Sequence, residues 1–420
     1  MFSVLRRYRT ALILVGLGVL MAASLPAFFT ASCLTRQQTN AEAKALENLR
    51  AMTHTSALPP EEVVARIETE FPRSKAAALA RLVRARIRIN AKDYAGAATL
   101  LDANVITSHS LLSDYALFLK ASSLEQASRA AEARAAYERL AEVYPASLRA
   151  REARLRAANI IMRSGNVSAV PLSLQELTKA DDAAALVLSG KAYEQSSDST
   201  RALAAYRRIY FYAPASAESP EAAAAIPRLG STLSPATSEE AITRADKLYE
   251  AKRFSDASQA YSEAFARFSA TATTPAQLRR VIAAANARKT VDAVNALNAI
   301  PTSAETRAEA LYYVAQAYAR ARQWEQARSS VEELRRSFPT SPFTPRALVS
   351  VGQIAEDANN SADASYFLRT AVNSFQGSTE VAQAQFDLAW MAHEARSFAE
   401  SSKLLTEHLA YYADKNTDNR

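Results

Sequence analysis

The sequence predicts an all-α protein, a right-handed α-solenoid of about nine helix pairs in two sub-stacks. Three observations lead there. The first is glycine, with only 8 in 420 residues, where average usage near 7% would give roughly 29. Tight turns, β-bulges and phosphate loops need residues that enter φ > 0 cheaply, so this scarcity argues against nucleotide-binding α/β folds and β-sandwiches. The second is the dominance of Ala, Leu, Arg and Glu, the strongest helix formers. The third is internal self-similarity, described below.

The chain opens with an address rather than a fold. Arg6, Arg7 and Arg9 precede an apolar run from Ala11 to Ala23, the charged and apolar regions of a bacterial export signal. Cys33 is the only cysteine, so no internal disulfide framework exists. Thr30-Ala31-Ser32-Cys33 resembles a lipobox, in which small residues precede a cysteine that is lipidated and becomes the new N-terminus; Thr30 stands where Leu is usual. Ordinary cleavage or an uncleaved anchor are the alternatives, since the run is long enough to span a membrane. Residues 1–33 are therefore assigned to export, with Cys33 as the lipidation site and a membrane attachment through it, in a periplasmic location. Residues 34–58 read as a flexible polar tether.

An aromatic or apolar residue, Ala three positions later and an apolar residue four further on return along the body. Tyr94–Ala97–Leu101, Phe254–Ala257–Tyr261 and Trp324–Ala327–Val331 are the full copies; Ala133, Ala202, Ala293, Ala364 and Ser401 anchor partial ones. Anchors 293, 327, 364 and 401 are separated by 34, 37 and 37 residues. Twelve residues after Ala133, Ala202 and Ala327 come Pro145, Pro214 and Pro339, each followed two positions on by Ser; Phe71-Pro72-Arg73-Ser74 is a further copy. Proline stops the second helix of a pair, and the serine is placed to cap the next. Ser341-Pro342 puts proline at a helix start, and Thr302–Glu305 has capping-box spacing.

These residues resemble the tetratricopeptide repeat, in which small anchors let two helices approach and an aromatic fills the gap to the next pair. The resemblance implies a scaffold that binds a partner. From Ala202 to Ala257 the spacing stretches, and the excess holds Pro220, Pro227, Gly230 and Pro235. The expected organisation is a first sub-stack over 59–217, a break at 218–236 carrying a short helix at Glu221–Leu229, a second sub-stack over 237–412, and a tail at 413–420.

The formal net charge is +7. Two basic stretches, Arg73, Lys75, Arg81, Arg84, Arg86 and Arg88, then Arg149, Arg151, Arg154 and Arg156, are candidates for contact with an anionic polymer such as cell-wall glycan. Nucleic acid is excluded as a partner by export. No catalytic constellation emerges: there is no phosphate loop or nucleophile elbow. His393-Glu394 begins like a zinc-protease helix, but Ser397 stands where the second ligand belongs. Glu400-Ser401 falls at a repeat anchor and reads as packing. No metal or cofactor is expected, and Trp324 and Trp390 read as interior repeat positions.

A narrower resemblance lies near the C-terminus. Phe386-Asp387-Leu388-Ala389-Trp390-Met391-Ala392-His393-Glu394-Ala395, then Phe398-Ala399-Glu400-Ser401-Ser402 and Leu404-Leu405, resemble the superhelical region of soluble lytic murein transglycosylases. It implies peptidoglycan as the partner, in a chain without the lysozyme-like domain that carries the catalytic Glu. The apolar face Leu404, Leu405, Leu409, Tyr411 and Tyr412 fits a missing continuation. The F-P-x-S text also resembles periplasmic lipoprotein helpers of outer-membrane barrel assembly and of the Tol–Pal system, which implies a periplasmic protein held in a concave groove.

Overall fold

The computed structural model describes residues 39–54 and 58–415. The export segment, Cys33 and the last five residues lie outside them. Among the described residues every regular element is helical, and none is long and apolar enough to cross a membrane.

The helices alternate as first and second members of pairs. They are α1 (39–53) and α2 (Glu61–Glu70), then α3 (Lys75–Asn90) and α4 (Tyr94–Leu101) with the short α5 (Asn104–His109). Next come α6 (Ser113–Gln126) and α7 (Ala130–Val143), and α8 (Ala150–Arg163), whose partner is broken into α9 (Val170–Ser173) and α10 (Gln175–Lys179). There follow α11 (Ala183–Gln195) and α12 (Ser199–Tyr212), the lone α13 (Ser219–Arg228), and α14 (Ser238–Glu250) and α15 (Phe254–Arg267). The last are α16 (Thr274–Asn286) and α17 (Thr290–Asn298), α18 (Thr306–Arg320) and α19 (Trp324–Ser337), α20 (Phe343–Asp357) and α21 (Ser361–Phe375), and α22 (Ala382–Glu394) and α23 (Phe398–Tyr412). The chain is an α-solenoid of such pairs.

The chain divides into two compact units, one ending at Leu177 and the other beginning at Thr178, near the stretch where the repeat text is most degenerate. Residues 218–236 hold α13 and a left-handed turn at Gly230, φ +80°. The tether expected over 34–58 needs correction, because 39–53 is helical. Ala45, Leu49 and Met52 fall at helical spacing, and Ala45 and Leu49 are buried against Val64, Ile67, Ala76 and Ala80. The polar remainder of this helix faces solvent and masks the stripe in a composition-based reading.

Ala97, Ala133, Ala202, Ala257, Ala293, Ala327 and Ala364 have no exposed surface, and Ser401 is 5% exposed. Twelve residues before each anchor, on the first helix of the pair, stands a second small residue: Ala85, Ala121, Gly190, Ala245, Val281 (the largest), Ala315, Gly352 and Ala389, all buried. At two of them the approach is close: an added Cβ would lie 2.8 Å from the Tyr206 ring at Gly190 and 2.7 Å from the Leu368 side chain at Gly352.

Five residues before each anchor the backbone turns left-handed: Lys92, Ser128, Ser197, Lys252, Arg288, Arg322, Asn359 and Arg396 have φ of 57° to 62°. The following N–H returns to a carbonyl five residues back, as in Asp93 N–H to Arg88 (2.8 Å), Gln323 to Tyr318 (2.9 Å) and Asn360 to Ala355 (2.8 Å). This is the Schellman arrangement, which satisfies the orphan carbonyls of the first helix. The scarcity of glycine thus does not signal an absence of left-handed turns; ordinary residues occupy them at a cost.

The serine caps form unevenly. Ser74 Oγ accepts the Ala77 N–H at 3.1 Å and caps α3. Ser147 and Ser341 instead accept the N–H two residues on, at 3.1 and 3.3 Å, ahead of helices that begin later. Pro342 accordingly precedes the first helical residue Phe343. Thr302–Glu305 forms no capping box, because α18 starts after Glu305 without a side-chain cap.

Candidate functional site: a cationic-rimmed groove in the first unit

The first helices α1, α3, α6 and α8 belong to successive pairs. On α3, Lys75, Leu79, Leu82, Val83 and Arg86 recur at helical spacing, as do Tyr115, Leu119, Ser122 and Gln126 on α6. With Leu46 and Leu49 of α1, the α3 stripe and the Tyr115–Leu119 end of the α6 stripe bound a cavity of about 580 Å³ with a mainly apolar floor. A second cavity of about 460 Å³ adjoins it and shares Arg86, Tyr115 and Leu119. It adds Tyr94, Ser122, Gln126 and Arg149, so the groove passes from apolar to hydrogen-bonding along its length.

The charge on this groove has one sign. Arg50, Lys75 and Arg86 line the first cavity and Arg149 the second, and no described Asp or Glu lines either. Arg50, Lys75 and Arg86 are exposed. Arg149 lies over the Phe118 ring at 4.8 Å and the Tyr115 ring at 5.7 Å, and its carboxylate contact, Glu152, is at 3.8 Å. Its guanidinium is thereby held along the groove by ring faces.

The other basic candidates are largely neutralised. Arg81 pairs with Glu68; Arg84 with Glu68 at 2.6 Å and Glu61 at 3.0 Å; Arg88 with Glu61 at 3.0 Å and Asp93 at 3.2 Å. Burial opposes the Arg84 charge, and its hydrogen bonds to Glu68 and Glu61 outweigh that, raising its pKa. Arg156 pairs with Glu152 at 2.9 Å and Glu125 at 3.4 Å. Arg73 and Arg151 are exposed and Arg154 is half-exposed, outside both cavities. The structure therefore gathers Lys75, Arg86 and Arg149 from the sequence candidates and adds Arg50. That residue was missed because its helix was taken for a tether.

A different expectation fails at Trp390. It is 53% exposed, stacked on His393 with ring centroids 5.4 Å apart, and its indole N–H donates to Glu394 at 3.0 Å. It is thus a surface aromatic, linked through the His393 ring to Phe398, itself 58% exposed. Trp324 is half-buried against the core of its unit. Leu405, Leu409 and Tyr411 are exposed, whereas Tyr412 is buried and its hydroxyl accepts the Gly377 N–H at 3.1 Å. Among the described residues no group of three His, Cys, Asp or Glu side chains is placed to hold a metal.

The pairwise helices, small-residue contacts and Schellman turns define a helix-pair repeat protein. Tetratricopeptide-repeat family models match residues 115–147 and 314–379, so these two stretches carry tetratricopeptide repeats, a scaffold suited to protein–protein interaction. Several solved structures are similar at 13% identity. A tetratricopeptide repeat protein from Parabacteroides merdae covers 64% of this chain and 96% of its own, TM-score 0.25. The P58(IPK) TPR domain covers 72% and 84%, TM-score 0.25, and Naa15/Naa10 bound to HypK-THB covers 90% and 71%, TM-score 0.32. No curated protein matches the chain.

Proposed function

We propose that this chain is a non-catalytic, exported adaptor, tethered to a membrane through Cys33, that holds a protein partner in the groove of α1, α3, α6 and α8. The observation that carries the reading is the groove itself: an apolar floor at helical spacing, continuing into a polar segment, on helices of a tetratricopeptide-repeat scaffold. Concave sites with an apolar lining and few polar groups are the common form of binding sites. Neutralisation of Arg81, Arg84, Arg88 and Arg156 weighs against a polyanion spread over the basic stretches, since paired charges attract a polymer weakly.

The test is site-specific photocrosslinking in cells. A benzoylphenylalanine at Val83, in the groove, should give an adduct with a discrete protein, and one at Arg134, on the second helix α7, should not. Absence of any protein adduct from position 83 would count against the adaptor. Mass measurement of the mature N-terminus should find a lipidated Cys33; an unmodified Leu34 or intact Met1 removes that part of the reading.

A second reading, peptidoglycan binding in the manner of the transglycosylase superhelix, is favoured by one observation. Trp390 and Phe398 are 53% and 58% exposed in the C-terminal pair, and exposed aromatic rings are surfaces on which sugar rings stack. Retention on purified sacculi above a charge-matched control, lost in Trp390→Ala, supports it. Zymography should show no clearing by either protein.

A further inference from the structure

We infer that the occupant of the first-unit groove is an acidic protein segment carrying large apolar side chains, seated with those side chains over Leu79 and Leu119 and its carboxylates on Arg50, Lys75, Arg86 and Arg149. This rests on the adaptor reading and specifies the partner's chemistry.

Charge complementarity is the first argument. Away from the groove several arginines of this unit are matched: Arg84 and Arg88 share Glu61, and Arg156 and Arg163 share Glu125, at 3.4 and 2.6 Å. Around the first cavity the matching stops. Arg50, Lys75 and Arg86 make no ion pair with any described carboxylate, and no acidic residue lines either cavity. Like charges held around one apolar cleft repel one another, and a cleft walled by low-dielectric side chains focuses their field on whatever enters. An incoming carboxylate relieves that repulsion, whereas a neutral apolar peptide leaves it unchanged.

The gradient along the groove is the second argument. The first cavity is apolar, with Leu46, Leu79, Val83 and Leu119. The second offers Tyr94, Ser122 and Gln126. A lipid acyl chain satisfies the first and leaves the hydroxyls and the amide of the second facing methylenes. A peptide satisfies both, because its side chains fill one part and its backbone amides hydrogen-bond in the other.

The chain's own beginning does not fit. Residues 1–38 contain Arg6, Arg7, Arg9 and Arg36 and no Asp or Glu. Its charge repels the rim. The occupant is therefore another protein.

The test uses the full chain and two probes. Random dodecapeptides displayed on phage are panned without bias against the chain and against Val83→Trp, which fills the first cavity. A fluorescein-labelled dodecapeptide alternating Leu with Glu, and its Glu→Gln counterpart, are then titrated by fluorescence anisotropy. Panning should enrich acidic sequences with Leu, Ile or Phe, and the enrichment should vanish on Val83→Trp. The Glu peptide should bind at least tenfold tighter than its Gln counterpart and weaken at least tenfold on Arg86→Glu or Lys75→Glu, with unchanged melting temperatures. Each of those positions is exposed, so the fold survives. Enrichment of neutral or basic peptides that need an open groove overturns the acidic specificity and leaves the adaptor intact. Equal enrichment on Val83→Trp overturns both. Arg86-dependent binding to phosphatidylglycerol vesicles, with no acidic peptide selected, overturns the inference in favour of a lipid surface.

Discussion

The Tyr206 hydroxyl donates to Glu194 at 2.6 Å, and the Arg228 guanidinium grips the same carboxylate at 3.0 Å. The arrangement recurs: Tyr137 donates to Glu125 at 3.1 Å while Arg163 holds it at 2.6 Å, and Tyr261 donates to Asp246 while Arg279 holds it at 2.7 Å. Each tyrosine stands four residues after an anchor, each carboxylate on the first helix of its pair, and each arginine on the helix that follows the pair. One buried ring thus joins three helices. Burial raises the pKa of all three tyrosines, that of Tyr137 to about 12, so they stay neutral donors.

Tyr206→Phe keeps the ring and removes the donor, and should cost about 1–2 kcal/mol in denaturant unfolding. Hydrogen bonding from Arg228, against some desolvation, holds the Glu194 pKa below its ordinary value. A folded value below the unfolded one gives stability that is present above the unfolded value, about 4.3, and lost as pH falls through the folded one. Glu194→Gln should therefore melt below the unmodified chain at pH 7, and the gap should narrow as pH falls below about 4.3. A gap that does not narrow on acidification would show that the carboxylate charge is not what matters.

The repeat, its anchors and the helix at α13 were legible because they rest on periodicity and proline placement, which need no tertiary context. The partner position twelve residues before each anchor was not. Alanine, glycine and valine share it, and only the approach of a second helix distinguishes a small residue that must be small from one that merely is. The groove was half legible. Lys75, Arg86 and Arg149 stood out as charge, yet which arginines are free depends on Glu61, Glu68 and Glu125, which come from neighbouring helices. Arg50 was hidden because Ala45 and Leu49 are too few apolar residues to announce a helix until Val64 and Ile67 cover them.

Arg322 carries φ of 58° at the turn into α19. A non-glycine residue there costs roughly 1–2 kcal/mol, and glycine also adds unfolded-state freedom. Arg322→Gly should raise stability by about 0.5–1 kcal/mol, and Arg322→Val should lower it by at least as much, because a β-branched side chain fits this region worst. Paired thermal melts read the sign directly. Destabilisation by glycine would mean that Arg322 makes a contact outweighing its backbone strain.

Arg207 fastens the irregular stretch after α13. Its guanidinium donates to the carbonyls of Thr232 at 3.1 Å and Ser234 at 3.2 Å, and pairs with Glu240 at 2.7 Å, both side chains 16% exposed. Glu240 in turn accepts the Ala236 N–H at 2.6 Å. Three links to one backbone segment make this a local clasp, and its loss should open that segment before it unfolds the unit. Arg207→Ala should cost about 1–3 kcal/mol, since it strands two carbonyls and a carboxylate. Amide exchange across 230–237 should accelerate at least tenfold while exchange in α18 stays unchanged. Uniform acceleration throughout the unit would assign Arg207 a global role instead.

Glu356 behaves oppositely to Glu194. It lines a cavity of about 420 Å³ with Asn359, Met391, Glu394 and Glu400. Arg369, the cation there, is engaged with Glu400 at 2.6 Å. Burial raises the Glu356 pKa, and Asp387, Asp357 and Glu394 push it further. With its folded value above the unfolded one, the folded state holds the proton more firmly, so stability falls as pH rises between the two values. Above the folded value the penalty is complete, and it disappears on acidification below the unfolded one. Glu356→Gln should accordingly stabilise the chain at pH 7, by no more than about 0.5 kcal/mol because the site is open to screening solvent. The advantage should shrink steadily towards pH 4. Melting temperatures of both proteins from pH 4 to 8 decide it, because a pH-independent difference would trace the gain to packing of the amide rather than to relief of the crowded carboxylates.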